Sequence, residues 1–370
     1  MIVERALLAD GGRRHRRQRR LTLLLTLRAV AGLSVLAGLV FAILAFGLWF
    51  AFAGNGEQFA LRIVAALALV FAAGQLLSWL WQPSSEIAGV TLSRLEAPGL
   101  YDELDRLCVY YRLAPIERVM IGSDINATVV QLPQLGLWGP LQTTLVVGLP
   151  LLHSLSPEQM RAILAHELSH LALQRRQLAA WAAQSRAWWH RVLMAMEEDQ
   201  TVVGWLATRL LSWHAYGYLI GSVELAHLEE FEADAAAAEI VGAPCLGEAL
   251  IEVAMKERYL REEYWDAVMS QFECPGQGGP ILPFREMGVG VALGFRRSEQ
   301  AGRMGELLQA DPGLELHPCL NDRLAAIQVA PYSIFAKGPS AADSYLGEAA
   351  SDLACRLDRA WCMALAPCCE

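Results

Sequence analysis

Two apolar runs near the start of the chain constrain its architecture more than any other feature. Residues 29–53 hold 25 positions without a charge and residues 63–81 hold 19. A helix rises about 1.5 Å per residue, so either run can cross a hydrocarbon core of roughly 30 Å. Only residues 54–58 (GNGEQ) and the stretch around Arg62 break the pattern between them. Trp49, Trp79 and Trp81 stand near the ends of the runs, where an indole prefers the membrane interface. A chain built this way folds partly in lipid, in keeping with its 54% hydrophobic content.

The flanks give the orientation. "RRHRRQRR" (13–20) carries six arginines, whereas the loop at 54–58 carries Glu57 alone. Positive flanks stay in the cytoplasm, so the N-terminus is expected inside and the hairpin returns the chain there. The alternative is a cleaved signal peptide ending near Ala51-Phe52-Ala53, although its apolar stretch is about twice the usual 7 to 15 residues. The expected plan is a basic arm (1–28), two transmembrane helices (29–82), a folded domain (83–330) and a C-terminal tail (331–370).

Charge and cysteine usage fit a cytoplasmic domain. Seven of the 30 basic side chains and two of the 39 acidic ones fall within the first 20 residues, so the remainder is acidic, near −14. That balance disfavours nucleic acid as a partner and leaves the lipid bilayer as the partner of the basic arm. The eight cysteines form no disulfide framework. Cys355, Cys362, Cys368 and Cys369 crowd the end in a spacing that matches no zinc ribbon, which leaves loose thiols or a second metal site.

Local patterns predict an α+β domain, mostly helical, with a small β-sheet. A helix is expected through "GLYDELDRLCVYYRL", ended by Pro115. Two β-branched runs, "RVMIGSDINATVVQ" and "TTLVVGLP", read as strands around a turn at "LPQLGLWGP". Ser156, Pro157 and Gln159 then have the N-cap, first-turn and capping-box positions of a new helix. The apolar stretch 202–222 is broken by Arg209 and His214, so it reads as an amphipathic or membrane-skimming helix, with a third span as the alternative. Residues 227–244 form an alanine-rich helix stopped by Gly242 and Pro244.

The helix starting at Pro157 carries "AILAHELSH" (162–170). His166 and His170 lie four residues apart, so both imidazoles leave one face about one turn from each other. This is the separation that two ligands of a tetrahedral zinc require. Glu167 is rotated about 100° from His166, within reach of water at such a metal. Without a third ligand the string is only a helix with two histidines. A metzincin continuation fails because Leu173 and Arg176 occupy its glycine and histidine positions. A short thermolysin-like gap fails because Trp189 and His190 stand where the glutamate belongs. Further on, "HLEEFEAD" presents Glu230 and Asp234 four residues apart: a glutamate suited to ligation, and an aspartate suited to accept the second N–H of a ligating histidine. Glu229 and Glu232 point to other faces, as solvated residues.

"AHELSH", then "EEFEAD" and "HPCLNDRLAAI" (317–327), resemble the membrane-associated gluzincin zinc metalloproteases, the family of HtpX and the CAAX prenyl endopeptidases. The likeness covers about residues 95–330. It implies a gluzincin-type metalloprotease domain over 83–330 with one Zn2+ per chain, held by His166, His170 and Glu230. Glu167 is then the general base, Asp234 orients a ligand, and His317 and Arg323 match a late H-P-x-x-x-x-R pattern close to the active site and its support. His317 is the candidate donor to the oxyanion, the alternative being that it simply holds a loop. "INATVV" matches an edge strand that receives the peptide, which assigns Asn126 and Ala127 to substrate alignment. The sequence departs from the family where Ala226 and His227 replace a Ser-Arg pair; His227 is either a neighbour of the metal or a bystander. The implied activity is cleavage of peptide or membrane-protein substrates, in membrane-protein quality control, at the cytoplasmic face of a bacterial inner membrane. The competing reading is a catalytically silent membrane scaffold, which has no chemical need for Glu167.

Overall fold

The computed structural model describes residues 2–52, 59–80, 87–135, 138–174, 177–273, 281–295, 304–309, 317–331 and 338–365. The expected loop at 54–58, Trp81, Cys368 and Cys369 lie outside them. The chain divides into two compact units. One comprises Met1–Ser85, Pro133–Pro140 and Gln174–Leu228, and the other Glu86–Leu132, Leu141–Leu173 and Glu229–Glu370.

The first unit is helical. Helix α1 (Ile2–Phe52) and α2 (Phe59–Leu80) are both long and apolar enough to cross a membrane. The basic segment expected as a separate arm is instead continuous with α1. Arginines have high helix propensity and nothing between Arg13 and Leu21 breaks the backbone ladder, so the helix simply extends. Leu36, Val40, Ala73, Leu76 and Trp79 share a core with Trp189, Val192 and Met196 of α6 (Gln177–Glu198). Two bonds tie the middle of α1 to its neighbours. Trp189 Nε1 donates to the Ala29 carbonyl at 3.2 Å, and Arg28 Nη1 donates to the Gly217 carbonyl at 2.9 Å. Segment 202–222 is not a helix of its own: it is the first half of α7 (Val202–Val241). Among the described residues it does not qualify as a third span.

The second unit holds a mixed four-stranded sheet in the order β1-β2-β4-β3. Strand β1 (Val90–Leu92) runs antiparallel to β2 (Arg118–Gly122), with Val90 opposite Ile121. Strand β2 runs parallel to β4 (Trp138–Gly148), with Arg118 opposite Thr144 and Gly122 opposite Gly148. Strand β3 (Ala127–Leu135) forms the edge next to β4. The stretch expected as one strand is thus two, β2 and the start of β3. The expected turn at 132–140 is largely strand as well. Pro133 lacks an N–H, which an edge strand tolerates because one side of its backbone needs no partner.

Helices cover the sheet. Helix α3 (Pro98–Tyr111) buries Leu100, Leu104 and Leu107, and it ends with Arg112 in a left-handed conformation, short of Pro115. After α4 (Leu149–Ser154) comes α5 (Pro157–Leu173), which buries Met160, Leu164 and Leu168 and packs on α3 and on α8 (Ala243–Tyr259). Gly242 separates α7 from α8 at φ 85°, a conformation that a side chain would strain. Beyond α8 lie a π-helical turn, α9 (Trp265–Glu273), α10 (Pro283–Val289), α11 (Met304–Gln309) and α12 (Leu320–Ala326).

The expected C-terminal tail is no tail over residues 338–365. Helices α13 (Ala341–Tyr345) and α14 (Ala349–Leu365) bury Ala341, Ala342, Leu353, Ala354 and Leu357 in the main core. Each buried leucine contributes about 1.5–3 kcal/mol. The Ala341 N–H donates to Leu155 O at 2.7 Å, and Asp358 Oδ1, almost fully buried, accepts the Phe284 N–H at 2.8 Å.

Candidate metal centre

Every side chain of the candidate centre belongs to the second unit. Helix α5 starts with the capping box expected from its sequence. The Ser156 N–H donates to Gln159 Oε1 at 3.0 Å, and the Gln159 N–H donates to Ser156 Oγ at 3.2 Å. The box fixes the first turn, and ten residues later the same helix delivers His166, then His170 one turn further on. Ala162, Ala165, Leu168 and Leu171 bury the neighbouring faces, so the imidazoles cannot rotate away without unpacking the core. The C-terminal part of α7 brings Glu230 and Asp234, also one turn apart and both buried.

These two helices bring three ligand groups to one point. The Nε2 atoms of His166 and His170 are 3.3 Å apart. Glu230 Oε2 lies 3.4 Å from His166 Nε2, and Oε1 lies 3.2 Å from His170 Nε2. A tetrahedral zinc with ligand bonds of about 2.0–2.1 Å has ligand-to-ligand edges of about 3.3 Å. Each of the three observed separations is therefore of edge length, with the two histidines facing different oxygens of the Glu230 carboxylate. Glu230 Oε2 is buried without an aligned hydrogen bond, although His317 Nδ1 at 3.0 Å and Arg323 Nη2 at 3.4 Å are close. Two facing imidazole nitrogens and an under-satisfied carboxylate oxygen are the donor set that a divalent cation such as zinc takes. Among the described residues this is the group of histidines, cysteines and carboxylates able to hold a metal ion.

A second layer of contacts holds the triad. Asp234, fully buried, has Oδ1 3.0 Å from His166 Nδ1. Placing the Nδ1 proton in that bond leaves Nε2 with its lone pair toward Glu230 and His170. Arg323 grips Asp234 with two nitrogens, Nε to Oδ2 at 2.9 Å and Nη2 to Oδ1 at 2.7 Å. The fork geometry of a guanidinium suits this bidentate contact. Arg323, expected to support the centre, does so through Asp234, 89 positions away along the chain, a contact that no local sequence pattern encodes.

The electrostatics follow from this packing. Burial works to lower the His166 pKa, but the close carboxylates of Asp234 and Glu230 outweigh it and push it up to about 9. Burial alone would raise Glu230; His166, His170 and His317 instead hold it far below the usual carboxylate range. Asp234 is likewise held low, by Arg323 and His166 against the effect of burial. Glu167 behaves in the opposite way: burial pushes its carboxyl up, only partly offset by the nearby histidines. One buried carboxyl is thus kept ionised for binding while its neighbour is made more basic.

The remaining sequence candidates sit as follows. His317, just before α12, is 62% exposed and faces Glu230. Asn126 is exposed, and its carbonyl accepts the Gly148 N–H at 2.8 Å; Ala127 is buried where edge strand β3 begins. His227, Glu229 and Glu232 are not members of the metal-binding group.

A family model for peptidase family M48 matches residues 135–330, more than half of the chain. No curated protein matches it.

Proposed function

The chain belongs to peptidase family M48, a family of metalloproteases, and on that premise we propose that it is a membrane-anchored zinc endopeptidase. The observation that carries this reading is the meeting of His166, His170 and Glu230 at one point, close enough for one ion to be shared among them. Zinc, when bound, acts as a Lewis acid on the scissile carbonyl and brings the pKa of a water to about 7.

The chain's own residues do the rest. Glu167 takes the proton of the attacking water and returns it to the leaving amine. Its burial makes the carboxyl more basic, which suits proton transfer near neutral pH. His317 stands at the exposed side of the centre, where it can donate to the developing oxyanion. Asp234 and Arg323 keep the His166 ring in one tautomer and one orientation. Strand β3 offers a free edge on which a peptide can pair, with Asn126 and Ala127 at its start aligning the substrate backbone. Helices α1 and α2 serve as the anchor, with the arginine run holding the N-terminus in the cytoplasm of a bacterial cell at the inner membrane. Substrates emerging from or damaged in the bilayer suit such an anchored protease, which makes membrane-protein quality control its setting.

The test is Glu167→Gln. The amide is nearly isosteric and ligates nothing, so the variant should keep one zinc per chain while proteolysis of unfolded or membrane substrates falls at least about 100-fold. It should also retain substrates that it cannot cut. If the parent binds zinc yet neither cleaves such substrates nor differs from Glu167→Gln in what it retains, a silent scaffold replaces the enzyme.

A further inference from the structure

We infer that the first two turns of α7, through Val202, Trp205 and Leu206, form a membrane-interface anchor: a third lipid contact that enters the headgroup and upper acyl region without crossing the bilayer. The inference rests on the reading of α1 and α2 as membrane helices and concerns the first unit alone.

The turn between α6 and α7 is tied to one end of α2. Asp199 Oδ2 accepts from Gln75 Nε2 at 2.8 Å and from Trp79 Nε1 at 3.1 Å. Asp199 Oδ1 accepts the Thr201 N–H at 2.8 Å, and Thr201 Oγ1 accepts the Gly204 N–H at 3.1 Å, which caps α7. Position 204 must be glycine for this turn to close. A Cβ there would lie 2.5 Å from the Asp199 carbonyl oxygen and 2.8 Å from its side chain. The start of α7 is thereby fixed at the end of an apolar helix, the level at which a bilayer gives way to water.

The side chains at that level divide by face. Val203, Ala207 and Leu211 pack inward, with Ala207 fully buried. Val202, Trp205 and Leu206, at i, i+3 and i+4, share the outward face and are 74%, 65% and 47% exposed. Arg209, exposed one turn beyond Trp205, completes the series at i+7. Three apolar side chains beside a lipid-facing helix end, followed by an arginine, fit the boundary between acyl chains and headgroups. A tryptophan is at home there because its ring body is apolar and its N–H is polar. The exposed polar residues Glu198, Gln200 and Thr201 at the turn oppose deeper entry.

The full-length protein in phosphatidylethanolamine–phosphatidylglycerol vesicles tests this. The vesicles carry phospholipid with a diazirine either next to the glycerol ester or at the acyl terminus, and labelled peptides are identified by mass spectrometry. The expected result is labelling of the 202–209 peptide by the shallow probe and not by the deep one, with α2 labelled by both. The double variant Trp205→Gln/Leu206→Gln should lower shallow labelling roughly tenfold, as two apolar side chains leave the lipid, while zinc content stays unchanged. Labelling of α2 without 202–209 overturns the anchor and leaves the membrane reading intact. Deep labelling of 202–209 overturns it in favour of a span, and protection of 202–209 by a second copy of the chain overturns it in favour of a protein contact. Absence of label on both α2 and 202–209 overturns the membrane reading itself.

Discussion

Replacing Asp234 by asparagine should weaken zinc binding about 10-fold to 100-fold while leaving all three ligands in place. Asp234 accepts from three donors, His166 Nδ1 and Arg323 Nη2 at Oδ1 and Arg323 Nε at Oδ2. An asparagine has one acceptor oxygen, so it cannot satisfy both sides. With its oxygen toward His166, its NH2 meets the N–H of Arg323 Nε, two donors face to face in a buried site. With the amide turned over, its NH2 donates to His166 Nδ1 instead, which moves the ring proton to Nε2 and blocks the lone pair a metal needs. A hydrogen bond to a charged group is worth about 1.5–3 kcal/mol. At about 1.4 kcal/mol per factor of ten, that corresponds to the stated range. Competition with a fluorescent zinc chelator on the detergent-solubilised full chain reads the affinity directly. Adding Arg323→Met removes the stranded guanidinium and should recover thermal stability without recovering zinc affinity. If folded Asp234→Asn holds zinc as tightly as the parent, the His166–Asp234 contact does not set the tautomer and the reasoning fails.

Other outcomes follow from the same geometry. Glu230→Ala removes the anionic member of the triad and should leave the purified protein largely free of zinc at neutral pH, read by elemental analysis; retention of one zinc would move the assignment to another carboxylate. Zinc affinity should also depend on pH. His166 in the metal-free protein carries a proton up to about pH 9, and the metal must displace it, so affinity should rise with pH to about that value, up to tenfold per unit. Calorimetry in buffers of different ionisation heat should show a proton released on binding at pH 7, and release of none would contradict the charged state of His166. For topology, a reporter inserted near Gly56 should behave as extracytoplasmic and one after Trp81 as cytoplasmic; the reverse pattern would remove the hairpin.

Much of the metal centre was legible because helical periodicity carries it. His166 and His170, and Glu230 and Asp234, are each four residues apart, and the Ser156–Gln159 box announces where their first helix starts. Arg323 was legible as a late-motif residue but not as the partner of Asp234, since no local pattern encodes a contact between α12 and α7. The sheet was harder to read. Residues 132–140 look like a turn because they contain Pro133, Gly136, Gly139 and Pro140, yet most of this stretch is strand, Pro133 lying on the edge where a missing N–H costs little. Helix α1 outran its expected start because a run of arginines is as good a helix former as the apolar run it joins. The buried side of α14 has a readable signal, Leu353, Leu357 and Trp361 at i, i+4 and i+8.

The capping box at Ser156 has a consequence for how this family member can tolerate change. Helix α5 is phased from a fixed origin, and its ligands are read off ten and fourteen positions later. A substitution between 162 and 165 that keeps the helix perturbs packing and leaves the phase of the ligands unchanged. Deleting one residue there turns both imidazoles by about 100° and shifts them by about 1.5 Å along the axis, out of register with Glu230. The segment from Ser156 to His170 is therefore a ruler as well as a wall: it can be rewritten in place but neither shortened nor lengthened.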